Sequence, residues 1–109
     1  MKLRILACFV FLLTPVAIGQ GAKPENGFVP DSRTAEKIAE AVLSPVYGEK
    51  QIESERPFHA ELRNGVWAVS GTLHCPDGTS GDMETCHGGV ATVRIAKADA
   101  HILYMIHGK

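Results

Sequence analysis

The sequence predicts an α+β domain in which one N-terminal helix packs on a four-stranded antiparallel meander. Apolar residues recur every three or four positions after Asp31, which is the period of an amphipathic helix. Apolar and polar residues then alternate on both sides of Asn64-Gly65, and two further strand-like runs complete the chain. A helix followed by consecutive strands without crossover helices is typical of the α+β class.

The predicted helix begins at Asp31 or Ser32, since either side chain can accept a hydrogen bond from the first turn. Its predicted apolar face consists of Ala35, Ile38, Ala39, Val42 and Val46. Pro45 weakens the last turn and Gly48 offers a left-handed stop. Residues 49–57 are then expected to form a polar connection between the helix and the first strand.

The predicted hairpin has its turn at Asn64-Gly65, the dipeptide preferred in two-residue turns. Such a turn pairs Arg63 with Val66, Leu62 with Trp67, Ala60 with Val69 and Phe58 with Gly71. A polar loop over residues 76–85 leads to a third strand, Val90 to Ala96, and the last strand is His101 to His107. The expected inward face has no ionisable residue: Phe58, Ala60, Leu62, Trp67, Val69, Leu73, Ala91, Val93 and Ile95.

The first nineteen residues have the order of a secretory signal peptide. Lys2 and Arg4 precede an apolar run that ends in small residues at Ala17-Ile18-Gly19. The run is shorter than the roughly 20 residues that span a bilayer, so we expect cleavage after Gly19 and no stable membrane anchor thereafter. A lipoprotein reading through Cys8 is the alternative. Residues 1–19 are thus the predicted leader, 20–30 a flexible N-terminal segment and 31–109 one domain of a secreted or periplasmic protein.

The charge balance excludes one class of partner. Loss of Lys2 and Arg4 reduces the eleven basic residues to nine, against twelve acidic residues. A slightly acidic domain has no basic surface for nucleic acid.

The two cysteines of the expected mature chain, Cys75 and Cys86, are predicted to form a disulfide, because exported proteins meet an oxidising compartment. His74 and His87 adjoin them, so the four side chains are also of the right types for tetrahedral zinc. Adjacent residues of an extended strand point to opposite faces, which disfavours this alternative.

Catalytic residues and a cofactor are not indicated. The five histidines are scattered, without a serine or acid beside any of them, and are expected on the surface. Asp77, Asp82 and Glu84 lie in the polar loop without the regular spacing of a calcium site. A solvated loop, or one that meets a basic partner, is the preferred interpretation.

Several short motifs resemble those of the nuclear transport factor 2 (NTF2) fold immunity proteins of bacterial polymorphic toxin systems. They are Gly27-Phe28-Val29-Pro30-Asp31, Thr34-Ala35, Ile38-Ala39-Glu40-Ala41, Pro45, Tyr47-Gly48, Pro57-Phe58, Gly65-Val66-Trp67, Gly71-Thr72-Leu73, Gly89 and the ending from Ile95 to His107-Gly108-Lys109. The resemblance covers nearly all of the expected mature chain. It implies a cystatin-like or NTF2-like fold and a non-catalytic protein that neutralises a toxin by direct binding.

A protein partner is therefore expected, and the predicted leader favours a toxin that acts in the periplasm or cell wall. Candidate contact residues are Asp77, Asp82 and Glu84 on the loop and Tyr104 on the last strand. Homodimerisation through the last strand is a further expectation, since an uncovered apolar edge tends to pair. The alternatives are a small-ligand-binding or enzymatic protein with a cone-shaped fold, a cystatin-like protease inhibitor, and a structural module of the envelope.

Overall fold

A computed structural model describes Gly21 and residues 24–75 and 88–109. Its elements are α1 (Ser32–Tyr47), α2 (Glu49–Ser54), β1 (His59–Arg63), β2 (Val66–Ser70), β3 (Ala91–Ala96) and β4 (Ile102–His107). The strands form one antiparallel sheet in the order β1-β2-β3-β4, and α1 packs across β1, β2 and β3. The predicted α+β class and four-stranded meander are confirmed.

The hairpin has the predicted register. Leu62 pairs with Trp67 and Ala60 with Val69. Asn64 and Gly65 have φ angles of 50° and 74°, as a turn with two left-handed central residues requires. The ring of Phe58 also covers Gly71, because a Cβ atom at position 71 would lie 3.2 Å from Phe58 Cε1.

Helix α1 begins as predicted and ends at Tyr47. Its N-cap is Asp31, whose carboxylate accepts a 2.7 Å hydrogen bond from the backbone N–H of Thr34. The helix continues through Pro45. A proline at this position removes a bond to the carbonyl of Ala41, and Ala41 is exposed, so that carbonyl can meet water instead.

The apolar face of α1 differs from the predicted one at its C-terminal end. Leu43 is fully buried with Ala35 and Ala39, whereas Val46 is 60% exposed. The buried residues are spaced by four, and Leu43 continues that row one helical turn beyond Ala39. The assignment of Val46 to the core-facing side was therefore wrong.

The polar connection predicted over residues 49–57 contains a short helix, because residues 49–54 form α2. Gly48, with φ of 97°, changes the chain direction, and its carbonyl accepts the N–H of Ile52 at 3.1 Å. Ile52 is buried in the core and anchors this short helix. Six residues are too few to show a helical period in the sequence.

Part of the segment expected to be flexible is held against the domain. The N–H groups of Phe28 and Val29 donate to the carbonyls of Ala98 and Lys97 at 3.1 and 3.0 Å. Val29 is fully buried, and its carbonyl accepts a 2.8 Å hydrogen bond from Trp67 Nε1. The packed domain therefore includes Val29, which lies inside the predicted flexible range 20–30.

The core lies between the helices and one face of the sheet. Its buried apolar residues are Val29, Ala35, Ala39, Leu43, Ile52, Phe58, Trp67, Val69, Ala91, Val93 and Ile95. Leu62, predicted to join them, is 45% exposed because it lies on the edge strand β1 near the turn.

A β-bulge explains the irregular pattern of the last strand. Arg94 pairs with Tyr104, but the next residue, Ile95, pairs with Ile102. Leu103 is thus the extra residue, and the alternation of β4 changes phase there.

Within the described ranges, no helix combines the length and apolar character that a bilayer crossing requires.

Candidate protein-binding surface

The face of the sheet opposite the core is open in the described part of the chain. Direct pairing aligns Glu61, Ala68, Arg94 and Tyr104 in one row across all four strands. Val93 and Ile95, which flank Arg94, are fully buried on the other side. Because neighbouring residues of a strand point to opposite faces, this row lies on the side of the sheet that faces away from the core.

A groove of about 720 Å³ follows this row. Residues of all four strands line it, among them Glu61, Arg63, Val66, Arg94, Leu103 and Tyr104. Ala68 lies in the middle of the row, and its small side chain leaves the floor of the groove low. We call this groove and the adjoining Ile106 the outer face.

Arg94 and Tyr104 are in contact on the β4 side of the outer face. The guanidinium carbon of Arg94 lies 5.5 Å from the centre of the Tyr104 ring, which is cation–π geometry. Their direct pairing across β3 and β4 holds them together. Among the described residues, Arg94 forms no ion pair. Its side chain is also exposed.

Exposed apolar groups lie beside this pair, and charged groups lie at the margin. Tyr104 and Ile106 are each 46% exposed, and Leu103 is exposed as well. Glu61 and Arg63 on β1 form an exposed 3.4 Å ion pair, which adds little stability. The apolar groups therefore lie on the β4 side of the groove and this ion pair on the β1 side, and exposed aromatic, apolar and arginine side chains are typical of protein-binding surfaces.

A second cluster lies on the core side of the sheet. Glu55, directly after α2, is 4% exposed. Its Oε1 accepts the N–H of Ala91 at 2.5 Å, and its Oε2 accepts Gln51 Nε2 at 3.1 Å. His107 Nε2 lies 3.1 Å from the same Oε2. The carboxylate therefore has three partners from α2, β3 and β4.

This cluster corrects two predictions from the sequence. The core side was expected to lack ionisable groups, and His107 was expected to be a solvated surface residue. His107 instead pairs with the buried Ala91, so it faces the core side, and its ring lies 5.3 Å from that of Tyr47. With its oxygens occupied by protein donors, Glu55 joins α2 to the end of the sheet.

The predicted site residues have separate outcomes. Tyr104 lies in the outer-face groove. Asp77, Asp82, Glu84, Cys86 and His87 fall outside the described residues, so the loop contact, the disulfide and the zinc alternative stay predictions. Cys75 is buried, and His74 is exposed with its Nε2 2.6 Å from the carbonyl of Arg56. Residues 24–75 and 88–109 contain no group of three or more His, Cys, Asp or Glu that could hold a metal ion.

Sequence reasoning missed Arg94 and Glu55. The alternation of β3 indicates that Arg94 lies on the face of the sheet away from the buried Val93 and Ile95. Its pairing with Tyr104 depends on the bulge at Leu103, which the sequence does not show. Glu55 was missed because two of its three partners, Ala91 and His107, lie 36 and 52 positions away, and only Gln51 is near in sequence.

Comparisons with known proteins give a family and one relative. The model of a family described as NTF2 fold immunity protein matches residues 34–109. The uncharacterized protein YhhH of Escherichia coli K12 is 29% identical over 90 residues, which are 83% of this chain and 65% of YhhH. This chain thus spans about two thirds of the length of that relative. No solved structure matches this chain.

Proposed function

Since this chain belongs to the NTF2 fold immunity protein family, we propose that it neutralises a protein toxin by binding it directly through the outer face of the sheet. The observation that carries the proposal is the Arg94–Tyr104 pair on the β4 side of an open groove. Tyrosine and arginine are the residue types that most often dominate the binding energy of protein interfaces.

The chemistry of the outer face describes the partner. Tyr104 and Ile106 need an apolar depression that removes their exposed surfaces from water. Arg94 needs a carboxylate or a carbonyl oxygen, and a carboxylate at the edge of its guanidinium leaves the ring contact intact. The toxin surface is therefore expected to have an apolar depression with an acidic group beside it.

The test begins with affinity capture of partners from lysate and envelope extract of the source organism, identified by mass spectrometry. A captured protein counts as the target only if one equivalent of this chain abolishes its toxic activity. Calorimetry then measures the dissociation constant of each variant. Tyr104→Ala and Arg94→Ala are each expected to weaken binding by roughly 2 kcal/mol, about thirtyfold.

Val46→Ala is the matched control, because Val46 is an exposed apolar residue on α1 rather than on the outer face. It is expected to bind the toxin as tightly as the wild-type chain. Full affinity in both Tyr104→Ala and Arg94→Ala would reject the outer face as the contact surface. If this chain inhibits none of the captured proteins, the toxin-binding function itself is rejected.

We further propose that neutralisation takes place outside the cytoplasm and that the polar loop contributes to it. The proposal rests on the sequence order of residues 1–19 and on the pairing predicted for Cys75 and Cys86. A disulfide closing this loop would contribute about 2.5 to 3 kcal/mol. The exported protein is expected to begin at Gln20 and to weigh two daltons less than the reduced chain. An uncleaved N-terminus, or two free thiols, would contradict this proposal.

The acids of that loop have a separate test. Charge reversal at Asp77, Asp82 and Glu84 is expected to weaken toxin binding and to reduce its salt dependence, if the loop meets a basic surface of the toxin. Unchanged affinity in the triple variant would remove the loop from the interface while leaving the outer face in it.

A further inference from the structure

The two edge strands of the sheet differ in how they are protected from pairing. Strand β1 carries Glu61 and Arg63, and charged side chains of this kind discourage the addition of another strand. Strand β4 reads Ile-Leu-Tyr-Met-Ile before its final histidine and contains no acid, lysine, arginine or proline. Among the described strands, β4 has a neighbour on one side only. Its other side is therefore an apolar edge that the bulge at Leu103 interrupts but that no charged side chain protects.

The register shows which backbone groups of β4 face this edge. The N–H of Gly108 donates to the carbonyl of Val90 at 3.1 Å. In an antiparallel ladder, hydrogen-bonded pairs alternate with non-bonded pairs. Ile106 and Tyr104, which pair with Thr92 and Arg94, therefore bond to β3 as Gly108 does. The N–H and C=O groups of Met105 and His107, which follow the bulge at Leu103, therefore point away from β3 and can bond to another strand.

We propose that a second copy of this chain occupies this edge, with its β4 antiparallel to the first and with the twofold axis at Met105. The two Met105 residues then exchange two backbone hydrogen bonds across the axis, and the backbone groups of each His107 face the bulged part of β4 in the other copy. Tyr104 lies opposite Ile106 of the partner subunit, and this pair occurs twice because the interface is twofold.

A second copy fits this edge because the strand complements itself in that register. Tyr104 and Ile106 lie on the outer face and are equally exposed, so they would touch along their flanks across the axis while their upper surfaces stay on the outer face. Aromatic and β-branched side chains are favourable cross-strand partners. Since β4 carries no permanent charge, the twofold axis brings no like charges into opposition.

The helices leave room for this association. Helix α1 packs across β1, β2 and β3, so β4 projects to the side of the helical layer. Met105 is only partly buried there, and it would gain cover from Met105 of the partner subunit. The two sheets would join into one of eight strands, and each copy would contribute a Tyr104 and an Arg94 to one continuous outer face.

The test measures the mass of the purified protein by light scattering and sedimentation over a dilution series, without toxin. The wild-type chain is expected to approach twice its monomer mass as concentration rises. In Tyr104→Lys with Ile106→Lys, each lysine lies opposite another lysine. This variant is expected to raise the dimer dissociation constant roughly a hundredfold. In Tyr104→Lys with Ile106→Glu, opposite charges face each other, and dimerisation is expected to return.

The control is Glu61→Lys on the other edge strand, which is expected to leave the mass unchanged. All four substituted positions are exposed or half-exposed surface sites, and circular dichroism checks that each variant is folded. A wild-type chain that stays monomeric at every concentration would overturn the proposal. The proposal would also be overturned if the double-lysine variant still formed the dimer, or if the lysine–glutamate variant did not recover dimerisation. Arg94→Ala tests the toxin contact separately, since it leaves β4 intact.

Discussion

The buried carboxylate of Glu55 lies 3.1 Å from Nε2 of His107, a residue 52 positions later in the chain. This contact joins the end of the helical layer to the end of the last strand. The same carboxylate accepts the N–H of Ala91 at the start of β3. One side chain thus connects three elements at the end of the sheet where β3 begins and β4 ends.

Glu55→Ala is expected to lower the free energy of unfolding by about 2 to 4 kcal/mol. The buried N–H of Ala91 loses its acceptor, and Gln51 and His107 lose theirs. Urea unfolding measures the change.

The matched control is Glu53→Ala, which removes an exposed acid of α2 and should change stability by less than about 0.5 kcal/mol. Glu55→Gln is expected to fall between the two, because its carbonyl oxygen can still accept from Ala91 while its amide group faces the donor of Gln51. Equal stability of Glu55→Ala and Glu53→Ala would contradict the structural role of Glu55.

The hairpin and the Glu55 cluster show what a sequence can and cannot predict here. The register of β1 and β2 follows from Asn64-Gly65 and from the alternation of the residues on each side, all within about fifteen positions. Glu55 has no such local signal. Its burial depends on α2, which is too short for a periodic pattern, and on His107, which only the completed sheet brings close.

The outer face could be predicted from the sequence only in part. Tyr104 could be identified from the sequence because it belongs to an apolar last strand. Its pairing with Arg94 could not, because the bulge at Leu103 shifts the register by one residue. A regular ladder starting from Ile95 and Ile102 would have placed Leu103, not Tyr104, opposite Arg94.

Trp67→Phe is expected to release the N-terminal segment locally. The indole N–H donates to the carbonyl of Val29, and phenylalanine leaves that buried carbonyl without a donor, at a cost of about 1 to 3 kcal/mol. Cleavage after the exposed Glu25 by a glutamate-specific protease should become faster.

Ile52→Val separates this local effect from a general loss of stability. It removes one methylene group from the core beside α2, with an expected cost of about 0.5 to 1.5 kcal/mol. It should leave cleavage after Glu25 near the wild-type rate. Similar acceleration in both variants would show that cleavage follows global unfolding rather than release of the segment.

Gly89→Ala is expected to be strongly destabilising. A Cβ atom at position 89 would lie 2.0 Å from the carbonyl carbon of Gly108, so the two backbones would have to separate. Overpacking of this kind costs about 1 to 3 kcal/mol or more. Gly108→Ala is the paired comparison, because its Cβ would meet nothing closer than 3.2 Å. Thermal unfolding should therefore rank Gly89→Ala well below Gly108→Ala, and the reverse order would contradict this packing.

Asp31 makes the stability of α1 depend on pH. The hydrogen bond from the N–H of Thr34 lowers the pKa of Asp31, and the positive charges of Arg33 and Lys37 act in the same direction. A lowered pKa in the folded state means that the ionised cap stabilises the fold above the unfolded pKa. That contribution disappears as the pH falls through the folded pKa.

Asp31→Asn tests this dependence, because it keeps an acceptor for Thr34 but does not titrate. Its melting temperature should be below that of the wild-type chain at neutral pH, and the difference should shrink below the ordinary aspartate pKa of about 3.9. Ser32→Ala, which leaves Asp31 in place, should keep the wild-type pH dependence. A difference between Asp31→Asn and the wild-type chain that stays constant with pH would show that the charge of Asp31 does not stabilise the helix.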